Sequence, residues 1–337
     1  MSFHDLPPRR ILTLSRLPLA GHELFHSHDV DEIRALMTKV LCEHRLQLAG
    51  RERKVNARMH SRPLDKSVLN YVDYGCDVIV DPGLTSSFLV VQAHLDGQGI
   101  VQCGREEMWS GPGHVAVTTP TENLHMRLSA ASKLIVVRIE WATIEAILGE
   151  QIGCEPIKPL RFDLDMDTTK GNAKAWFASL LYFINNVGSN GGLFAHSHIA
   201  LPMERQLITG LLRAQHNTYS TLLGEEGPRV PSRTVQAAVD IIQADPRFPH
   251  DTGSLARVAG VSSRALQSAF RRDLDMTPME YLRGVRLRRV RADLIAATRE
   301  STTVATVARN WAFGHLGRFA GFYQQGFGET PSHTLRR

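Results

Sequence analysis

Leu255-Ala-Arg-Val-Ala-Gly-Val261 and Val307-Ala-Arg-Asn-Trp-Ala-Phe313 are one motif written twice, 52 residues apart. Both open on an apolar residue followed by Ala-Arg, and both close on an apolar residue six positions later. Further on, Leu266 and Phe270 match Phe319 and Tyr323 at an offset of 53, and Thr277-Pro278 matches Thr330-Pro331. One extra residue in the second turn accounts for the change. Each copy reads as a short helix, a turn and a second helix, the helix-turn-helix pattern.

The residue types fit that reading. In the first copy Ala256 and Ala259 are small where two helices cross closely, and Gly260 can take the positive φ of a turn. Val261 plugs the corner between the helices, and Ser262 is a favourable N-cap for a helix over about Ser263–Asp273. Leu266, Ala269 and Phe270 recur at helical spacing and face inward. Ser263, Arg264, Gln267, Ser268 and Arg271 are left outward, all able to hydrogen-bond base edges or phosphates. In the second copy Gly314 lies in the turn, Leu316, Phe319 and Tyr323 give the inner face, and His315, Arg318 and Gln325 remain outside. Solvation of an exposed helix face is the plain alternative for any one of these residues.

Between the copies, Pro278 sits at a helix start, where its missing N–H costs nothing. One helix is expected from Met279 to about Ala297, with Leu282, Val285, Val290 and Leu294 along its apolar stripe. Nineteen residues span roughly 28 Å, near the ~34 Å between successive major grooves on one face of B-DNA. Such a helix sets two recognition helices into neighbouring grooves. Arg283, Arg286, Arg288, Arg289 and Arg291 are expected on its solvent side, some of them near the phosphates.

The charge follows the same division. From residue 228 onward there are 17 Arg, no Lys and 9 acidic residues, a balance of +8, whereas the preceding 227 residues carry −3. Positive charge made entirely of guanidinium suits a phosphate-rich partner. The Gly-, Pro- and Ser-rich stretch from Gly224 to Ser232 marks the cut. The domains are thus 1–224, a linker at 225–233, and 234–337.

Residues 234–337 resemble the DNA-binding domain of the AraC/XylS family of bacterial transcription regulators. The resemblance is carried by Leu255-Ala256, Val261-Ser262, Leu266-Gln267, Phe270, Pro278, Tyr281-Leu282, Arg286-Leu287, Val307-Ala308, Phe313, Arg318-Phe319, Tyr323, Phe327-Gly328 and Pro331-Ser332. It implies double-stranded promoter DNA as a partner, read by both units, and activation through contact with RNA polymerase. By position it makes Arg264, Gln267 and Ser268 the base-facing set of the first unit and Arg318 that of the second. Ser262, Ser263, Arg271, His315 and Gln325 complete the expected DNA-binding set. Gly321 departs from the family pattern, which often places a polar base-reading residue there. A glycine supplies no donor and weakens a helix by about 1 kcal/mol, so the second unit is expected to position phosphates more than to read bases.

The N-terminal part reads differently. About Val30–Cys42 is helical, with Ile33, Leu36, Met37, Val40 and Leu41 on one side. From Ser67 to about Glu140 short strands follow, clearest at Phe88–Leu95, His114–Thr118 and Lys133–Ile139, with Ser110-Gly-Pro-Gly-His114 as a turn entering a strand. Close spacing and turn residues argue for an antiparallel barrel or sandwich. Trp141–Leu148, Lys174–Val187 and Met203–Tyr219 are helical again, and Leu207, Leu211, Leu212 and Gln215 suit either a dimer seam or an intradomain contact. The arrangement resembles the cupin-like sensory and dimerisation domain of the same family. The expected fold class is therefore α+β: an antiparallel barrel with flanking helices, then an all-α domain of two helix-turn-helix units joined by a long helix.

Chemistry is excluded by what the motifs lack. His26-Ser-His28 and His196-Ser-His198 lie outside the strand block without a partner Glu, and His94, His114 and His125 are scattered singles, so no metal is expected. There is no GxSxG, P-loop or GxGxxG, and Cys42, Cys76, Cys103 and Cys154 show no CxxC spacing and read as reduced, mostly buried thiols. No enzyme activity and no cofactor are expected. The start lacks the apolar core of a signal peptide and no apolar stretch spans a bilayer, so the expectation is a cytoplasmic, ligand-responsive activator acting as a homodimer, with no membrane partner. The competing reading is a barrel that only dimerises or docks a protein. The resemblance suggests an aromatic or other organic acid as effector. Arg51–Lys54, Arg58, His60 and Arg62 are basic groups able to meet a carboxylate, with a solvated loop as the alternative.

Overall fold

The computed structural model describes residues 17–49, 55–187, 192–224, 231–298 and 301–336. The chain forms two compact units: Met1–Ile147 with Arg161–Asn217, and Leu148–Leu160 with Thr218–Arg337. The expected linker at 225–233 falls largely outside the described residues, as does Arg51–Lys54.

The first unit opens with β1 (Glu23–Ser27), α1 (Val30–Val40), β2 (Arg45–Leu48), β3 (Ala57–Pro63) and β4 (Ser67–Asp73). Then come β5 (Val78–Leu84), β6 (Phe88–Asp96), β7 (Gly99–Cys103), β8 (Glu106–Ser110) and β9 (His114–Val117). β10 (Asn123–Leu128) and β11 (Lys133–Glu140) precede α2 (Trp141–Ile152), and β12 (Asp165–Asp167), α3 (Gly171–Val187) and α4 (Ser197–Ala214) follow. Seven strands pair in the order β1-β3-β4-β11-β6-β9-β12 and five in the order β2-β5-β10-β7-β8. Every pairing is antiparallel.

Alternation decides what each strand contributes. On β6 and β11 the even-numbered Phe88, Val90, Leu134 and Val136 enter a core shared with Val78, Val80, Val101 and Met126 of the other sheet. The odd-numbered Leu89, Val91, Ile135 and Val137 are buried too, as expected of central strands covered on both faces. Asp29 caps α1 by accepting from the amides of Asp31 and Glu32, and the helix delivers Ile33 and Met37 to the core. The Glu204 carboxylate on α4 accepts from the Lys66 amide and the Ser67 hydroxyl, which ties that helix to the start of β4.

Four strands went unforeseen. β1, β2 and β12 are short, and β3 carries Arg, His and Pro in place of β-branched residues. Arg58, His60 and Arg62 therefore lie on a strand and not in a loop, and buried His60 pairs through Nδ1 with the Pro18 carbonyl at 2.6 Å. The helix expected over Met203–Tyr219 begins earlier, at Ser197, running through Pro202, and ends at Ala214. Its Leu207, Leu211 and Leu212, with Gln215 beyond, are buried within their own unit, which settles them as an intradomain contact.

The second unit contains α5 (Ser220–Leu223), α6 (Arg233–Ala244), α7 (Thr252–Val258), α8 (Ser263–Leu274), α9 (Pro278–Ala296), α10 (Val304–Asn310), α11 (Leu316–Phe327) and α12 (Pro331–Thr334). It has two cores that share α9. Tyr281, Leu282 and Val285 on its first half pack with α6, α7 and α8, whereas Leu287, Val290 and Leu294 pack with α10 and α11. The segment Leu148–Leu160 also belongs here. Cys154 and Ile157 lie against the first core, Glu155 pairs with Arg288 at 2.6 Å, and Lys158 holds the Asp275 carboxylate at 2.6 Å. A Cβ at Gly284 would collide with the Ile157 side chain, so glycine there makes room for that segment.

Candidate nucleic-acid interface

The turn of the first copy is built as its residues require. The Asp251 side chain accepts from the Ser254 amide at 2.7 Å and starts α7 with a capping box. Gly260 takes φ 67°, and the chain closes with the Val261 amide donating to the Ala256 carbonyl at 3.0 Å. The Ser262 hydroxyl then accepts from the Ala265 amide at 3.2 Å and opens α8. Leu266, Ala269 and Phe270 are buried, while Ser262, Ser263, Arg264, Gln267, Ser268 and Arg271 are exposed together on the opposite face. Arg271 stands 3.7 Å from Glu280. The Glu280 carboxylate, accepting from the Thr277 amide and hydroxyl, is held below the usual carboxylate range.

The second copy closes the same way, with the Phe313 amide donating to the Ala308 carbonyl at 3.0 Å. Its left-handed residue is Ala312, at φ 61°, and not Gly314. His315 precedes α11 without a side-chain cap. Phe319 and Tyr323 are fully buried, and the Tyr323 hydroxyl donates to Thr334 Oγ1 at 2.8 Å. His315, Arg318 and Gln325 are exposed, with Gly321 on the same side and open space where its Cβ would be. Val261 and Phe313, expected to be enclosed at their corners, are half-buried.

The arginines of α9 correct the expectation of a solvent-facing row. The Arg286 side chain donates to the carbonyls of Pro246 at 2.6 Å and Phe248 at 2.8 Å. Arg288 pairs with Glu155, Arg283 stacks 4.2 Å over the Phe322 ring, and Arg291 lies 4.7 Å over Phe327 and 3.5 Å from Glu329. Arg289 alone of the five is exposed. A helix packed between two cores has little free surface, so its long cations lie along neighbouring rings and carbonyls. Arg247, from the loop after α6, stacks 4.4 Å over Trp311, so the two halves also touch outside α9.

Two cations went unassigned that the repeat itself aligns. Arg257 and Arg309, third in each motif, are both exposed in the last turns of α7 and α10. Arg257, Arg264, Arg289, Arg309 and Arg318 form no ion pair within 4 Å among the described residues. Among the described residues no group of three or more His, Cys, Asp or Glu is placed to hold a metal, and no described helix is long and apolar enough to cross a membrane.

Both units have matches among known protein families. Residues 33–213 match the family described as an AraC-binding-like domain, and residues 255–337 match a helix-turn-helix domain. The "Probable thc operon regulatory protein" of Rhodococcus erythropolis is 30% identical, over 94% of this chain and 96% of that protein. The "XylDLEGF operon transcriptional activator 1" of Pseudomonas putida is 24% identical, over 83% of this chain and 84% of that protein. A solved structure of a probable AraC family transcriptional regulator from Rhodopseudomonas palustris covers 32% of this chain and 100% of its own, at 35% identity and a TM-score of 0.30.

Proposed function

The chain belongs to the AraC/XylS family of DNA-binding transcription regulators, and we propose that it activates transcription by binding promoter DNA as a homodimer through both helix-turn-helix units. The observation that carries the reading is the face of α8, where Arg264, Gln267 and Ser268 are exposed side by side on a helix whose other face is fully packed. Those three read base edges in the major groove, guanidinium and amide groups being suited to bidentate pairing with guanine and adenine. Arg318 does the same on α11. Ser262, Ser263, Arg271, His315 and Gln325 hold sugar and phosphate, joined by Arg257, Arg289 and Arg309, and fix the register in which the bases are read.

The division of labour is a reader at 234–337 and a sensor at 1–224, joined at 225–233. The barrel takes a small-molecule effector, which shifts the population of the DNA-binding form, and the bound regulator contacts RNA polymerase. No catalytic role is assigned to any residue. The protein acts where its promoters are, in the cytoplasm.

A gel shift of the full chain on promoter fragments recovered by genome-wide binding is the test. Binding should weaken steeply with salt, because arginine–phosphate contacts release counterions. A folded protein that discriminates no promoter fragment from random DNA would refute the reading.

A further inference from the structure

The two cores of the second unit are joined by more than α9. On one stripe of that helix, seven residues and about 10 Å apart, Arg286 and Asp293 each hold one of the two halves. Arg286 donates to the Pro246 and Phe248 carbonyls and so fixes the loop after α6. Asp293 accepts from the Trp311 indole N–H at 2.6 Å and fixes the end of α10, where the second turn begins. Arg247, between the two pinned carbonyls, spans the gap and lies 4.4 Å over the Trp311 ring, which is 8% exposed. The Asp245 carboxylate accepts from the Arg247 and Phe248 amides at 3.2 and 3.3 Å and shapes that loop.

A second bridge reaches the recognition helix itself. Arg283 lies between Leu282 and Val285 of the first core, and its guanidinium stacks 4.2 Å over Phe322 of α11. Neither Arg247 nor Arg283 forms an ion pair within 4 Å among the described residues, so an aromatic ring is the partner of each cation. A cation over a ring biases an equilibrium about two- to fivefold at an exposed site, and more where the ring is desolvated. Two independent contacts of this kind multiply. Phe322 adjoins Tyr323, which is fully buried in the second core, so holding the Phe322 ring holds the roll of α11.

We propose that Arg247 and Arg283 are positioning residues for DNA recognition. Their stacks on Trp311 and Phe322 lock the two helix-turn-helix units at one spacing and roll, so that the protein selects the number of base pairs between the two blocks it reads. The inference rests on the reading of α8 and α11 as paired recognition helices and adds a specificity that no base contact carries. Inserting one base pair moves the second block by about 3.4 Å along the duplex and about 35° around it. A locked pair cannot follow that move without breaking a stack or leaving one block unread. α9 sets the distance between the cores, but rotation about a single shared helix is opposed only by side-chain packing. The two stacks act to its sides and resist that rotation.

The test is a competition gel shift of the full chain on half-sites with the selected spacing between blocks, with one base pair more and with one fewer. Sites that keep one block and scramble the other serve alongside. Wild type should lose at least about tenfold in affinity at either altered spacing. Arg247→Gln combined with Arg283→Gln should lose less than about threefold there, while its affinity for single-block sites stays within about twofold of wild type. Lys at both positions keeps a cation over each ring and should restore a penalty above about fivefold. Arg247→Gln alone, at an exposed position, should lower the penalty at least about twofold, and it decides the matter if the double variant does not fold. A spacing penalty unchanged in these variants would overturn the proposal. So would a uniform loss at every spacing with a salt slope lower by about 1 per arginine, the mark of phosphate contacts. A wild type that reads both blocks equally well at all three spacings defeats this assignment and leaves paired recognition standing, whereas indifference to scrambling either block defeats both.

Discussion

Ala312 occupies in the second turn the left-handed conformation that Gly260 occupies in the first, at φ 61° against φ 67°. The two residues stand 52 positions apart, the offset of the repeated motif. The backbone path was kept while the residue suited to it was not. An alanine held at positive φ crowds its Cβ against the following carbonyl, at a cost of about 1–2 kcal/mol.

Ala312→Gly should therefore stabilise the second helix-turn-helix unit by about 1 kcal/mol after the extra freedom glycine gains in the unfolded chain is subtracted. Urea unfolding monitored near Trp311 measures it. A destabilisation would mean that the second turn does not take the path of the first.

Gly321 calls for the opposite change. It lies inside α11 and a Cβ there would meet nothing within 4 Å. Gly321→Ala should raise stability by about 1 kcal/mol without altering the DNA sequence preferred. A loss of DNA affinity would show that this position lies against the duplex with no room for a side chain.

Arg288 and Arg289 are neighbours with separate tasks. Arg289→Ala should weaken binding to every sequence alike and lower the salt slope by about 1, as expected for one phosphate contact. Arg288→Ala should instead cost about 1–3 kcal/mol of stability, because half-buried Arg288 holds Glu155 at 2.6 Å. Titration of both variants at three salt concentrations, with unfolding curves alongside, distinguishes the roles, and identical effects on DNA affinity would erase the distinction.

His94 makes the barrel acid-sensitive. It is 3% exposed, its Nδ1 is 3.0 Å from the Ser110 hydroxyl, and burial pushes its pKa down to about 4. The folded pKa lies below the unfolded value of about 6.5, so the unfolded chain takes the proton first as pH falls. This contribution is complete above about pH 6.5 and fades as pH approaches about 4, with a loss of roughly 2 kcal/mol by pH 5. Unfolding of wild type and His94→Gln at pH 7.5 and 5.0 measures it, and an equal acid loss in both proteins would remove His94 as the cause.

Local signals made much of this architecture legible. Ser262 caps the helix it precedes and Pro278 opens α9, and Phe88–Leu95 and Lys133–Ile139 became central strands because β-branched runs bury both faces. The exposed set on α8 followed from Leu266, Ala269 and Phe270 alone. What stayed hidden depends on contacts distant in sequence. The spacing of Arg286 and Arg288 says nothing of Pro246 or Glu155, which lie 40 residues before and over a hundred residues before them. Ala312 concealed a turn because alanine is a helix former, and Gly314 two positions later drew the assignment.

Selection of binding sites from random DNA tests the central claim most directly, with the full chain, Gln267→Ala and Arg318→Ala run in parallel. Each half-site enriched by the wild-type protein should hold two conserved blocks about one helical turn, or 10 base pairs, apart. Gln267→Ala should relax one or two positions in one block while the other keeps its sequence, a discrimination of about 1–3 kcal/mol at each position. Arg318→Ala should affect only the second block. A single block, or a Gln267→Ala profile indistinguishable from wild type, would contradict the reading of α8 and α11 as paired recognition helices.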